Sequence, residues 1–183
     1  MKPASQADVV AAVAALAPSD GRTVFVGIDG RGASGKTSLA AVVAAAVPDV
    51  DVVHVDDFWN PRTPEWDWDR FRAQVAEPLL AGRPARYQVW DWDRDGGGEW
   101  VDVAPGGVVV VEGVSATRRE AGVPWALRIW VDAPRELRLV RAVERDGESM
   151  LPRWLEDWMP SEERYIAREH PDELADLWVD GAV

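Results

Sequence analysis

The chain contains no cysteine, one asparagine and two histidines among its 183 residues. Without thiols, neither a disulfide framework nor a thiolate zinc site can form. The single asparagine, Asn60, precedes Pro61, so the Asn-Lys-x-Asp motif that reads guanine in GTPase switches is missing. No uninterrupted apolar segment of signal-peptide type opens the chain, and no apolar run approaches the roughly 20 residues needed to span a bilayer. A soluble cytoplasmic protein with no membrane partner is therefore expected. Basic residues are also scarce, 20 against 32 acidic ones, for a formal net charge of −12. Such a field repels polyphosphate backbones, which excludes nucleic acid as the main partner. Any nucleotide site must then create its own local positive potential.

What is present centres on one stretch. An apolar run of strand composition, Thr23 to Ile28, leads into Gly30-Arg31-Gly32-Ala33-Ser34-Gly35-Lys36-Thr37. This matches G-x-x-x-x-G-K-[ST] residue for residue, and an Ala/Val helical pattern follows at once. A triphosphate needs several backbone N–H groups aimed inward around it, so the loop must come close and use dihedrals that glycine adopts freely. The following helix adds the positive end of its dipole. Lys36 is placed to reach the β- and γ-phosphates, and the Thr37 hydroxyl to sit on Mg²⁺. The candidate nucleotide-binding stretch runs from Gly30 to Ser38, with Ser38 in the helix's first turn.

Helices are expected over residues 6–16, with Ser5 as N-cap, 37–47, 134–146 and 161–169, the last capped by Ser161. Strands are expected at 23–28, 52–55, 108–111, 127–131 and 177–179. The strand over 52–55 reads as buried and apolar almost throughout. Residues 59–100 read as a tryptophan-rich, loop-like insertion with a helical piece near 68–80 and a flexible tip at Gly96–Gly98. Residues 147–159 read as an irregular lid able to close over the phosphates. Alternating strands and helices point to one domain over residues 1–183, an α/β three-layer fold of P-loop NTPase type with a parallel sheet, helices on both faces and a small lid. In such sheets ligands bind beyond the carboxyl ends of the strands. Three segments meet that description: Gly30–Thr37, Asp56 and Glu112.

Phosphoryl transfer needs a metal on the phosphates, cations around the moving group and a carboxylate to accept the acceptor's proton. Asp56, directly after its strand, suits the base, with Asp57 as alternative and an N-cap or turn role as the structural explanation. Glu112 follows four valines, where a carboxylate needs a cation, so Mg²⁺ or a salt bridge is expected beside it. Arginines 135, 138, 141 and 145 share a broad helix face. Arg135 is expected to be solvated, whereas Arg141 and Arg145 lie nearer the lid. Six of the 11 tryptophans fall between Trp59 and Trp100, interleaved with aspartates. Each ring singly is best explained as core, and the region as an acceptor pocket for a flat hydroxylated compound.

These pieces together resemble the uridine kinase-like nucleoside kinases of the P-loop class, related to pantothenate kinase and phosphoribulokinase. The resemblance is carried by residues 27–38, by Val55-Asp56-Asp57-Phe58-Trp59, by Val111-Glu112-Gly113, by Arg141-Ala-Val-Glu-Arg145-Asp146, and by Ala175-Asp176-Leu-Trp-Val179 before Gly181. It implies ATP as phosphoryl donor, Mg²⁺ near Thr37 and Glu112, Asp56 as base, Lys36, Arg141 and Arg145 as catalytic cations, and a small hydroxylated acceptor. It further implies Asp67 as a sugar-hydroxyl contact and Tyr87, Trp90 and Asp91 as lining of the acceptor site, and Asp57 and Trp59 are expected to bind the acceptor beside them. Members of that group often associate, so a homo-oligomer joins the expectations. The chain departs from the group where a histidine and an arginine should follow the aromatic segment: Asp93-Arg-Asp-Gly-Gly-Gly98 stands there. Besides a uridine- or cytidine-like nucleoside, an antibiotic, a sugar or a pantothenate-like acceptor therefore stays open, as does an ATP-dependent switch, and preference for ATP over GTP is not fixed.

Overall fold

The computed structural model describes residues 3–18, 20–63 and 66–182. Residues 64 and 65 of the 59–100 insertion, and the ends of the expected 1–183 domain, lie outside the described residues. Five strands form one parallel sheet in the order β2-β5-β1-β6-β7: β1 Val24–Gly30, β2 Val50–His54, β5 Val108–Glu112, β6 Trp125–Asp132 and β7 Leu177–Asp180. The sheet is covered on both faces, as a parallel sheet requires. Alternate side chains of β1 and β5 turn to opposite sides. Val26, Ile28, Val108 and Val110 pack with Val9 and Val13 of α1 (Gln6–Ala14) and with Leu39 and Val43 of α2 (Lys36–Ala46). Phe25, Val109 and Val111 pack with Phe58, Phe71, Val75 and Leu79 on the other face. This is the P-loop NTPase α/β architecture. Among the described residues no helix is long and apolar enough to cross a membrane.

The ends of the elements follow local chemistry. Ser5 caps α1 with a reciprocal box, its hydroxyl accepting from the Asp8 N–H and the Asp8 carboxylate accepting from the Ser5 N–H. Gly35 opens α2 at φ +106°, a left-handed conformation that favours glycine.

Four expectations change. The second strand is an edge strand and half-buried, with Asp51 exposed, and it ends at His54. Val55 begins a single 3₁₀ turn, Val55–Phe58, so Asp56 and Asp57 lie on that turn and not directly at the strand's end. The 59–100 segment is more ordered than its glycines suggest. A helical run, α3 (Trp68–Phe71), Arg72–Ala76 with a widened turn and α4 (Glu77–Leu80), leads into an antiparallel hairpin of β3 (Ala85–Asp91) and β4 (Gly96–Val103). Gly96–Gly98 begin β4, and the tip is Trp92–Asp95 instead. Beyond Gly147 the expected lid is helical, running through Glu148–Met150, α6 (Leu151–Arg153) and a widened turn, Trp154–Trp158, into α7 (Met159–Glu169). Ser161 therefore lies inside α7 and does not cap it. The arginine-bearing helix, α5, is Arg135–Asp146 with Pro134 before it, and Arg135 is exposed.

Candidate active site

The ends of β1, β5 and β2 assemble the site. In register, Ile28 pairs with Glu112 and His54 pairs with Glu112 on its other side, so Glu112 sits between the phosphate loop and the Asp56 turn. Its carboxylate, 4% exposed, accepts from Thr37 Oγ1 at 3.0 Å and lies 2.5 Å from His54 Nδ1. That hydrogen bond raises the His54 pKa above its ordinary value against the opposing effect of burial.

Lys36 is 6% exposed, and its ammonium donates to Arg31 O at 2.7 Å. Burial pushes its pKa down, while Glu112, Glu162, Asp29 and Asp56 pull it back up. Asp56 is exposed at the surface, yet the surrounding protein and then Glu112 push its carboxyl above the usual range, with Lys36, Arg145 and His54 opposing. Glu112, Lys36, Asp56, Arg145 and His54 thus share one electrostatic neighbourhood. An aspartate of raised pKa there has the character of a proton acceptor.

The arginines divide. Arg141 Nη1 donates to Gly181 O at 2.8 Å and lies 3.5 Å from Ala33 O, against the phosphate loop. Arg145 pairs with Asp146 through Nε and Nη2, at 2.8 and 3.0 Å, above the Trp154 ring. Arg138 is buried, 3.5 Å from Glu162. Within the loop, Arg31 pairs with Glu163 and with Asp132. Ala33 takes φ +59°, and the Ser34 hydroxyl is buried without a hydrogen-bond partner among the described residues.

The expected acceptor-site residues do not all remain available. Tyr87 is 1% exposed and stacks on Phe58, and its hydroxyl donates to Asp57 Oδ2 at 3.3 Å. It orients Asp57 from within the core and lines no open surface. Asp67 caps the helix at Trp68: Oδ1 accepts from the Arg70 N–H at 3.0 Å and Oδ2 from Asn60 Nδ2 at 2.8 Å. Both of its oxygens are thus engaged in local structure. Asp91 Oδ1 holds the hairpin tip by accepting from the Asp93 and Arg94 N–H groups. Trp59 stacks on Trp92, ring centroids 5.5 Å apart, and meets Trp66 edge-on. Trp90 keeps a buried indole N–H with no partner among the described residues.

Reading the sequence missed His54, Asp29 and Glu162. Asp29, 1% exposed, accepts from the N–H groups of Gly30, Ser115 and Thr117, and from the hydroxyls of Thr117 and Tyr165. It ties the base of the phosphate loop to the segment after Glu112 and to α7. A carboxylate inside the apolar run of β1 was the available signal.

Fold and site together define a P-loop NTPase. No protein-family profile matches the chain. Its sequence is 23% identical over 146 residues to uridine kinases of Streptococcus pneumoniae strains, including TIGR4 and D39, covering 69% of this chain and 68% of theirs. Two solved structures share the fold. One, provisionally described as a uridine kinase from Bacillus stearothermophilus, has a TM-score of 0.70 at 20% identity over 96% of this chain and 97% of its own. The other, provisionally described as a fructose transport system kinase from Silicibacter sp. TM1040, has a TM-score of 0.65 at 22% identity over 97% and 98%. The chain is uridine kinase-like in both sequence and fold.

Proposed function

We propose that the protein is an ATP-dependent small-molecule kinase that transfers the γ-phosphoryl group to a hydroxyl of its acceptor, with a nucleoside as the first candidate. The observation that carries this reading is the Thr37–Glu112 contact at 3.0 Å, within the same field as Lys36 and Asp56. A hydroxyl and a carboxylate side by side are hard oxygen donors of the kind Mg²⁺ takes. Among the described residues no group of three or more His or carboxylate side chains forms a metal cage of its own, so an ion there would share the nucleotide's oxygens, as Mg²⁺ commonly does. When bound, Mg²⁺ supplies charge neutralisation at the phosphates.

The chain's own residues do the remainder. Backbone N–H groups of the loop and the Lys36 ammonium hold the triphosphate. Asp56 takes the proton of the attacking hydroxyl as its oxygen bonds to the γ-phosphorus, and the bond to the β-γ bridging oxygen breaks, its electron pair leaving on ADP. Arg141 lies beside the loop and Arg145 within the field of Asp56, where cations offset the charge of the moving group. The helical segment over 148–158, through Trp154 against Gly32, covers the loop and limits water as a competing acceptor.

A second acceptor class, another hydroxylated compound such as a sugar, draws support from two observations. Residues Asp93–Gly98 stand where the histidine and arginine are expected, and one of the similar structures is described in terms of fructose transport. ADP release from Mg-ATP, measured with nucleosides, sugars and hydroxylated antibiotics beside a blank without acceptor and Asp56→Asn, separates them. Stimulation by one class, lost in the variant, is expected. A rate equal to the blank for every acceptor would defeat the kinase reading in favour of a switch.

A further inference from the structure

One peptide unit of the phosphate loop is held from both sides. The carbonyl of Arg31 accepts from Lys36 Nζ at 2.7 Å, and the N–H of Gly32, the other end of the same peptide, donates to Glu162 Oε1 at 3.0 Å. The C=O and N–H of a trans peptide point in opposite directions. Lys36 therefore holds the plane from one side and Glu162, on α7, from the other. The next carbonyl, Gly32 O, lies 3.5 Å from Arg138 Nη1, and the same nitrogen lies 3.5 Å from Glu162 Oε2. Arg138 is itself fixed by donation from Nε to Ala133 O at 3.1 Å. The ion pair thus touches Gly32 at both its N–H and its C=O. All three charged side chains are buried: Arg138 4%, Glu162 5% and Lys36 6% exposed.

This arrangement is poorly explained as a device for stability. A buried ion pair must offset the desolvation of two charges, and an apolar pair of similar volume often serves stability as well. Here Glu162 Oε2 makes no hydrogen bond among the described residues, its Arg138 contact being long, whereas Oε1 makes a good one to the loop. The pair is better matched to the Gly32 backbone than to itself. Gly32 allows no side chain, because a Cβ would stand 2.6 Å from both Glu162 Oε1 and the Trp154 ring. One turn further along α7, Tyr165 donates to Asp29 Oδ2 at 2.7 Å and so fixes where Glu162 meets the loop.

We propose that Arg138 and Glu162 form a clamp on the Gly32 backbone that sets the orientation of the 31–32 peptide and with it the resting place of the Lys36 ammonium. Both are positioning residues, and the inference rests on the phosphoryl-transfer reading above. Without the clamp the peptide is free to turn, Arg31 O leaves Lys36, and the ammonium loses its buried acceptor. The effect falls on nucleotide handling, not on the acceptor site.

The test uses two readouts, one of which needs no turnover. Lys2 and Lys36 are the only lysines in the sequence, so acylation by an amine-reactive ester, mapped by peptide mass, reports the exposure of Lys36 against Lys2 in the nucleotide-free protein. Calorimetry with Mg-ATP gives affinity. Glu162→Leu removes the acceptor at similar volume, and Glu162→Gln keeps an acceptor oxygen. The Leu variant is expected to acylate Lys36 at least tenfold faster relative to Lys2 and to bind Mg-ATP at least tenfold more weakly. The Gln variant is expected to stay within about threefold of the parent on both. A folded Leu variant within twofold of the parent on both readouts overturns the clamp, and so does a Gln variant as impaired as the Leu one, since charge pairing alone would then explain it. If Glu162→Leu does not fold, Arg138→Met, which keeps the stem and removes the donors, is read against the same thresholds. Parent protein that binds Mg-ATP but phosphorylates no acceptor would defeat the kinase reading and leave the clamp to be judged on these two measurements.

Discussion

Thr37 Oγ1 donates to Glu112 Oε1 across 3.0 Å, joining the first turn of α2 to the end of β5, 75 residues away in the chain. His54 Nδ1 approaches the same carboxylate oxygen at 2.5 Å. If this oxygen pair faces the metal, Glu112→Gln should raise the Mg²⁺ concentration needed for half-maximal turnover by about tenfold or more, the scale seen when groups at a metal site are altered. Metal-free ATP affinity should stay nearly unchanged. Titrating Mg²⁺ at saturating ATP checks this, and equal metal requirements for variant and parent would remove Glu112 from the metal site.

The raised pKa of Asp56 carries a sign that can be measured. A base must be unprotonated, so the acid limb of turnover against pH should lie above the ordinary aspartate value of about 3.9, and Asp56→Asn should lower turnover by roughly 10²–10⁴-fold. Stability runs the other way. A carboxyl whose folded pKa is raised favours the folded state when protonated and loses that contribution as pH rises through the folded value. Asp56→Asn should therefore raise Tm at neutral pH, with the difference shrinking as pH falls toward the unfolded value. Thermal scans of parent and variant across pH 4–8 decide it, and a variant less stable at neutral pH would contradict the assignment.

Lys36 is buried beside Glu112, Glu162, Asp29 and Asp56, with a lowered pKa caused by desolvation. Lys36→Ala should abolish ATP turnover. Lys36→Met, which keeps the volume and adds no charge, should do the same while folding normally. Activity within a few-fold of the parent in either variant would refute the phosphate-loop assignment.

The loop, the parallel sheet and the carboxylates at strand ends could be read from the sequence because each has a local signature: glycines at fixed offsets, unbroken valine runs, and a charge directly after them. The hairpin could not. Its outer residues alternate weakly, and Gly96-Gly97-Gly98 looks like a break, although Gly96 and Gly97 lie opposite Asp91 and Trp90 in the pairing of β4 with β3. Residues 147–159 carry Gly147 and Pro152, which obscure a helical run held by Trp154, Trp158 and Met159. Asp67 and Tyr87 resembled acceptor contacts in sequence, yet their polar atoms serve a helix cap and Asp57. The partners of a side chain depend on segments far away, which spacing does not record.

The stacked pair Trp59 and Trp92 bears on the acceptor. Trp92 is 54% exposed, on the hairpin tip above the Asp56 turn's exit at Trp59. An exposed ring contributes little to the core, so Trp92→Ala should leave Tm within a few degrees while raising acceptor KM several-fold, with KM for ATP unchanged. Steady-state kinetics with each substrate varied in turn checks this. A change confined to ATP would move the acceptor pocket elsewhere.

Asp29 offers the sharpest test of how the site is held together. One buried carboxylate satisfies five donors drawn from the phosphate loop, the segment after Glu112, and α7. Asp29→Ala strands all five, and leaving buried polar groups without partners costs about 1–3 kcal/mol each before relaxation or water entry. A net loss of roughly 3–5 kcal/mol, comparable to breaking a buried charged contact, is expected. Asp29→Asn keeps the shape but aims an NH₂ group at N–H or O–H donors, so it should also destabilise, by a smaller amount. Tyr165→Phe removes a single donor and should cost about 1–2 kcal/mol. Urea unfolding of the three variants should therefore rank them Ala, then Asn, then Phe. A Phe variant as unstable as the Ala one would show that the tyrosine hydroxyl, and not the carboxylate, holds α7 against the phosphate loop.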